Sequence, residues 1–202
     1  MRDKIISKAI DLFLKLGFKS VSMNDIAYEM QISKKTIYKY FDSKELLISE
    51  STKSIHNAVH ENIKKIISKN CNAIEENFEI IKMFKEMFKM ANSSPVYQLK
   101  KHYPNIFNAL LSIEVYECKK VFEQNIEKGI QQELYRKDFS IEHYVSFYYT
   151  LIFSINENTS SEKELNKLEL EVLEYHTRAM ATEKGIIELK RQIQFSNDCR
   201  IS

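Results

Sequence analysis

Lys34, Lys35, Lys39 and Lys44 fall within eleven residues that hold one acidic side chain, Asp42, and they are interleaved with Thr36, Tyr38 and Tyr40. Lysine neutralises phosphate or donates to guanine O6 and N7, threonine offers a hydroxyl and a methyl, and a tyrosine hydroxyl donates to phosphate oxygen. A charge run is usually just a solvated face, so the composition of this stretch does not by itself assign it to DNA. Its setting says more. Ser22 is placed to cap a short helix with Asp25 in its first turn, and Ser33 to cap a second helix from Lys34 to Tyr40, with Gln31-Ile32 between them. Ile37 and Phe41 share a face and turn to the core, which leaves Lys34, Lys35, Thr36, Tyr38, Lys39 and Tyr40 outward. Two short helices meeting at a tight turn are what a helix-turn-helix requires, one to brace and one to enter the major groove. Ser22 and Ser33 stand at helix starts, where backbone N–H groups form an anion site, and Lys44 opens the next helix within reach of one more phosphate.

The elements around this motif follow from apolar spacing. Ile6, Ala9, Ile10, Phe13 and Leu16 predict an amphipathic helix that Gly17 ends. Lys44 begins a helix running to about Lys69, with Leu46, Leu47, Ile55, Val59, Ile63 and Ile66 apolar. Residues 73–92 repeat the pattern, Ile106 to Ile130 carries a long stripe on a drifting face, Ser140 caps a segment through Ile155, Leu165 to Ala179 forms another stripe, and Thr182 starts a last helix. The expectation is an all-α chain of nine or ten helices. Its amino-terminal part, residues 1–47, is a three-helix domain that carries the helix-turn-helix, and residues 48–202 form a second helical domain.

Composition agrees. The chain has 202 residues, enough to bury a core without a disulfide or metal, and its three Gly and two Pro leave little material for hairpin turns. Charge is near balance, 30 Lys+Arg against 28 Asp+Glu, with a basic excess of three confined to residues 1–53. The longest uncharged run, Tyr144 to Asn156, is too short to span a membrane, and the first residues lack the apolar core of a signal peptide. Cys71, Cys118 and Cys199 are odd in number and far apart, as in a reducing compartment. A cytoplasmic protein is expected.

Ala9, Phe13, Gly17-Phe18, Ser22, Ile26-Ala27, the run Ile32 to Phe41 and Lys44 to Leu47 together resemble the amino-terminal signature of the TetR family. Apolar, capping, aromatic and basic positions all fall in register over about 47 residues. The resemblance implies an all-α homodimeric one-component transcription regulator, usually a repressor, whose carboxy-terminal domain binds a small effector and whose last two large helices pair across a dyad. On that reading the dimer residues are Tyr144, Phe147, Leu151, Ile155, Leu165, Leu168, Val172, Tyr175 and Ala179. One departure stands out. The family commonly has Gly where this chain has Gln31, and a left-handed conformation costs a residue other than glycine roughly 1 kcal/mol.

Aromatic density in the second part points to an effector pocket drawn from Phe84, Phe88, Tyr103, Phe107, Tyr116, Phe122 and Tyr148, suited to an apolar or aromatic ligand, although ordinary core is the simpler role for each one singly. His56 and His60 are four apart, a spacing that binds metal only with a third ligand. There is no H-E-x-x-H, so no metal and no other cofactor is expected. His102, His143 and His176 read as surface or pocket polar groups. No G-x-G-x-x-G, P-loop or G-x-S-x-G is present, so an enzyme is not expected. The remaining alternative is a dimeric helical protein that binds a small molecule or a partner without specific operator recognition.

Overall fold

The computed structural model describes residues 1–198 apart from Asn92, and of 112–116 and 197–198 it describes the backbone alone. Within these residues the chain forms ten helices and no strand: α1 (Arg2–Leu16), α2 (Met23–Glu29), α3 (Lys34–Tyr38), α4 (Lys44–Ser68), α5 (Ala73–Phe88), α6 (Pro95–His102), α7 (Pro104–Gln131), α8 (Ile141–Asn158), α9 (Glu162–Met180) and α10 (Glu183–Asp198). The residues divide into two compact units, the first of 1–61, 87–114 and 156–165, the second of 62–86, 115–155 and 166–202.

The core of the first unit is built where α1 to α4 turn their apolar faces together, with Ile5, Ala9, Phe13, Ile26, Ile37, Phe41, Leu47 and Ile48 fully buried. Each of these side chains other than Ala9 contributes about 1.5–3 kcal/mol relative to exposure. Gly17 ends α1 at a φ of 90°, and its N–H donates to Phe13 O. Leu16, expected on the apolar stripe, is instead 58% exposed because it falls in the last turn, and Leu46 likewise faces outward.

The helix α6 was not anticipated. Ser94 accepts from the N–H of Tyr97, and Pro95 occupies the first helical position, where its missing N–H costs nothing. This helix and the start of α7 add Leu99 and Phe107 to the first core.

The second unit gathers Ile74, Phe78, Ile81, Phe122, Ile126, Tyr135, Val145, Leu173, Met180 and Leu189. It also buries a charge. The Glu76 carboxylate accepts from Asn125 Nδ2 at 2.7 Å and from Lys128 Nζ at 2.7 Å, and Asn125 Oδ1 accepts from Asn77 Nδ2 at 2.8 Å. These partners offset the desolvation cost that the buried carboxylate pays. Gly129 lies under the Tyr135 ring, where a Cβ would come within 2.1 Å of it, so only glycine fits. Ser140 and Thr182 cap as expected, accepting from His143 N and Gly185 N. The expected 73–92 helix stops at Phe88, and the 34–40 helix at Tyr38.

Candidate nucleic-acid interface

Two caps and one turn set the geometry of α2 and α3. Ser22 Oγ accepts from Asp25 N at 3.2 Å while the Asp25 carboxylate accepts from Ser22 N at 2.8 Å, closing a reciprocal capping box. The hydrogen bond from the Ser22 backbone holds the Asp25 carboxyl below its usual range. Ser33 Oγ accepts from Thr36 N at 3.1 Å and pairs with the Thr36 hydroxyl at 2.8 Å. Each cap is worth about 1 kcal/mol, which matters most for helices of seven and five residues that could not persist alone.

Between them, Ile32 N donates to Ala27 O and Gln31 N to Tyr28 O, both at 3.0 Å, the paired bonds of a Schellman motif. Gln31 is its left-handed residue, with φ of 55°. The helices therefore meet at the geometry a glycine would give, and the departure at Gln31 is carried as strain. Gln31→Gly is expected to raise stability by about 1 kcal/mol, read as a higher denaturant midpoint with unchanged slope. An unshifted midpoint would show that the Gln31 backbone is not strained.

On α3, Ile37 is fully buried while Lys34, Lys35, Tyr38 and Lys39 are exposed. Lys34 Nζ lies 5.5 Å over the Tyr38 ring. Tyr40 is exposed just beyond the helix, Thr36 half-buried, and Ser22 and Ser33 exposed at their helix starts. The candidate recognition side chains Lys34, Lys35, Tyr38 and Lys39 are thus exposed, while Ile37 anchors the opposite side of the helix in the core. Lys44 is engaged, since its ammonium donates to Lys19 O at 3.0 Å and sits 5.9 Å over the Tyr103 ring. Burial lowers its pKa. Two of its three N–H donors remain for a phosphate.

The sequence did not point to what fixes the loop after α1. Gln98 Oε1 of α6 accepts from Phe18 N at 2.9 Å, and Tyr103 Oη donates to Phe18 O at 3.3 Å. Exposed Tyr28, on the bracing helix, was also missed. The start of α6 at Ser94-Pro95 was the available signal for Gln98.

A family model described as bacterial regulatory proteins, tetR family, matches residues 5–50, the segment that holds both caps, the turn and the exposed lysines. This segment matches the TetR family. Among curated TetR-type relatives, the biofilm operon icaADBC negative transcriptional regulator IcaR of Staphylococcus aureus is 27% identical over 131 residues, which is 65% of this chain and 62% of that protein. Its Staphylococcus epidermidis counterpart is 26% identical over 112 residues, 55% of this chain and 54% of that protein. The match thus spans less than two thirds of either relative. In overall fold the chain resembles a transcriptional regulator from Cytophaga hutchinsonii, with a TM-score of 0.73 at 18% identity over 89% of this chain and 98% of that one. It also resembles Thermus thermophilus FadR in complex with lauroyl-CoA, with a TM-score of 0.57 at 20% identity over 88% and 92%. No described helix is long and apolar enough to cross a membrane.

The aromatic set named for an effector does not gather within either unit. Tyr103 and Phe107 pack on the first core and Phe88 belongs to that unit, whereas Phe84, Phe122 and Tyr148 belong to the second. The Tyr103 hydroxyl donates to Phe18 O at 3.3 Å. The Tyr116 side chain lies outside the described residues. Phe122 and Tyr148 do meet, stacked at 4.4 Å. Of the dimer set, Phe147, Leu151 and Tyr175 are exposed at 58%, 38% and 67%. Tyr144, Ile155, Leu168, Val172 and Ala179 are half-buried. Leu165 is buried within the first unit and offers no surface. The rings of His56 and His60 lie 4.4 Å apart on α4.

Proposed function

We propose that this chain is a one-component transcription regulator, a repressor that binds a palindromic operator as a homodimer and is released by a small effector. The observation that carries this is α3, a helix capped by Ser33 whose buried Ile37 turns Lys34, Lys35, Tyr38 and Lys39 outward. Backbone N–H groups and lysines position such a helix on phosphate, and its side chains meet base edges. The printed role of IcaR as a negative regulator supports repression, and a fold shared with an acyl-CoA complex supports an effector. Nothing in the motifs calls for catalysis, and a regulator of chromosomal DNA works in the cytoplasm.

Dimerisation through α8 and α9 is supported by the exposed apolar side chains Phe147, Leu151 and Tyr175. A two-fold interface is self-complementary and sets two reading helices on two half-sites. Leu151→Glu with Tyr175→Glu is therefore expected to yield monomers in sedimentation at micromolar concentration, and an unchanged dimer would place the interface elsewhere. For release, α4 and α7 each contribute residues to both units, and Gln98 and Tyr103 hold the loop after α1. Tenfold release requires about 1.4 kcal/mol of coupling, within the usual 1–3 kcal/mol. The function is tested by selecting bound duplexes from random DNA and titrating the enriched sequence against scrambled competitor. Failure to enrich any sequence would favour the helical partner-binding alternative.

A further inference from the structure

His176 lies on α9 inside the second unit, 3% exposed, and its Nε2 has no hydrogen-bond partner. Three aromatic rings surround it, Tyr148 at 5.1 Å, Phe122 at 5.5 Å and Tyr144 at 5.7 Å between centroids. Tyr149 closes on Phe122 and Tyr148 edge-on, at 6.0 and 5.5 Å. A buried imidazole nitrogen without a partner forfeits its hydration and gains nothing in return, and native structures rarely keep such a group without a use for it. Tyr144, Tyr148 and Tyr149 are each half-buried, so the rings around His176 are not sealed from the surface.

We infer that His176 is the polar anchor of the effector site, and that the ligand is an uncharged aromatic molecule whose hydroxyl pairs with Nε2 while its ring packs on Phe122, Tyr144 and Tyr148. This inference rests on the proposed function, since it names the ligand class for the effector step. A hydroxyl both donates and accepts, so it satisfies Nε2 in either tautomer. An anion is disfavoured because the Glu169 charge already bears on the Tyr148 hydroxyl. A cation meets the same desolvation that holds the His176 pKa down to about 4 and keeps the imidazole neutral. Aromatic faces then supply most of the contact area, and one polar group fixes orientation, the usual division in a small-molecule site.

The test titrates phenol, toluene and benzylammonium into the full-length protein without DNA, following heat and the His176 ring resonances. Wild type is expected to bind phenol about fivefold more tightly than toluene, the worth of one hydrogen bond, and benzylammonium more weakly than either. His176→Phe should bind phenol and toluene alike, whereas His176→Gln, which keeps a polar amide, should retain part of the preference and guards against a variant that fails to fold. An undiminished preference in His176→Phe, or benzylammonium as the tightest ligand, would overturn the inference. Operator binding is measured apart on the same samples. Phenol binding that is indifferent to His176, with operator binding intact, sinks this site alone. Absence of any specific duplex binding sinks the proposed function, whatever phenol does.

Discussion

Replacing Lys35 and Lys39 together by alanine is expected to lower operator affinity by about a thousandfold while lowering affinity for unrelated duplex far less. Each lysine is exposed at α3, where a contact to guanine O6 and N7 is worth about 1–3 kcal/mol of discrimination. Neither touches the core, because Ile37 occupies the buried side of the same helix, so the loss should appear without a change in melting temperature. Thr36→Ala and Tyr40→Phe provide the contrast. Contacts to phosphate carry no base identity, and these variants should weaken operator and random duplex by the same factor. Lys44→Ala should do so too, with a salt slope smaller by about 0.9 for the phosphate it releases. It should also cost stability, since its ammonium ties Lys19 O to the start of α4. Competition titrations at several salt concentrations decide the matter. If Lys35 and Lys39 lose equally on operator and random DNA, they are positioning residues and the reading is done elsewhere on α3.

Lowering the pH from 7 toward 4 is expected to remove about 3 kcal/mol of stability through His176 alone. Burial among Phe122, Tyr144 and Tyr148 depresses its folded-state pKa to about 4, below the ordinary value near 6.5. The unfolded chain therefore binds the proton first. The contribution is fully present above pH 6.5 and is lost as pH falls through the window between 6.5 and about 4, because protonation there favours unfolding. His176→Phe removes the titrating group and the unsatisfied nitrogen together, and its denaturant stability should stay flatter across that window. The difference between the two proteins isolates His176 from the carboxylates. Burial pushes the Glu188 carboxyl up, but hydrogen bonds from Arg191, Gln192 and Asn72 hold it on balance below its ordinary value, so its contribution is lost as pH falls below the ordinary carboxylate range. Parallel stability curves for wild type and His176→Phe from pH 7 to 4.5 would show that the imidazole is not held neutral by burial. The same variant links stability to binding, since the nitrogen that destabilises the free protein is the one the phenol hydroxyl is inferred to satisfy.

The caps, the turn and the buried face of α2 and α3 were legible in the sequence because their determinants are local. Ser22 with Asp25 and Ser33 with Thr36 lie three residues apart, within one helical turn, and a capping hydrogen bond at that range needs no other part of the chain. Ile37 and Phe41 declare the buried face of α3 by spacing alone. Even the strain at Gln31 follows from position, because the turn admits a single left-handed residue there. The helical class of the remainder was legible for the same reason, since a stripe at a period of 3.6 encodes its own helix. What the spacing could not say is which stripe meets which. Aromatic residues drawn from four segments looked like one pocket in sequence, yet Tyr103 and Phe107 complete the core under the DNA-binding helices while Phe122 and Tyr148 stack in the other unit. Gln98 and Phe18 are 80 residues apart, and only folding brings the Gln98 side-chain carbonyl to the Phe18 N–H. His176 is the clearest case. A histidine on an amphipathic stripe carries no mark of its surroundings, and three rings from α7 and α8 turn it into a buried, neutral and unsatisfied nitrogen only when those helices pack against α9. Hydrogen bonds within a turn are written into the order of residues, whereas desolvation is a property of everything that surrounds a group, and tertiary packing alone supplies it.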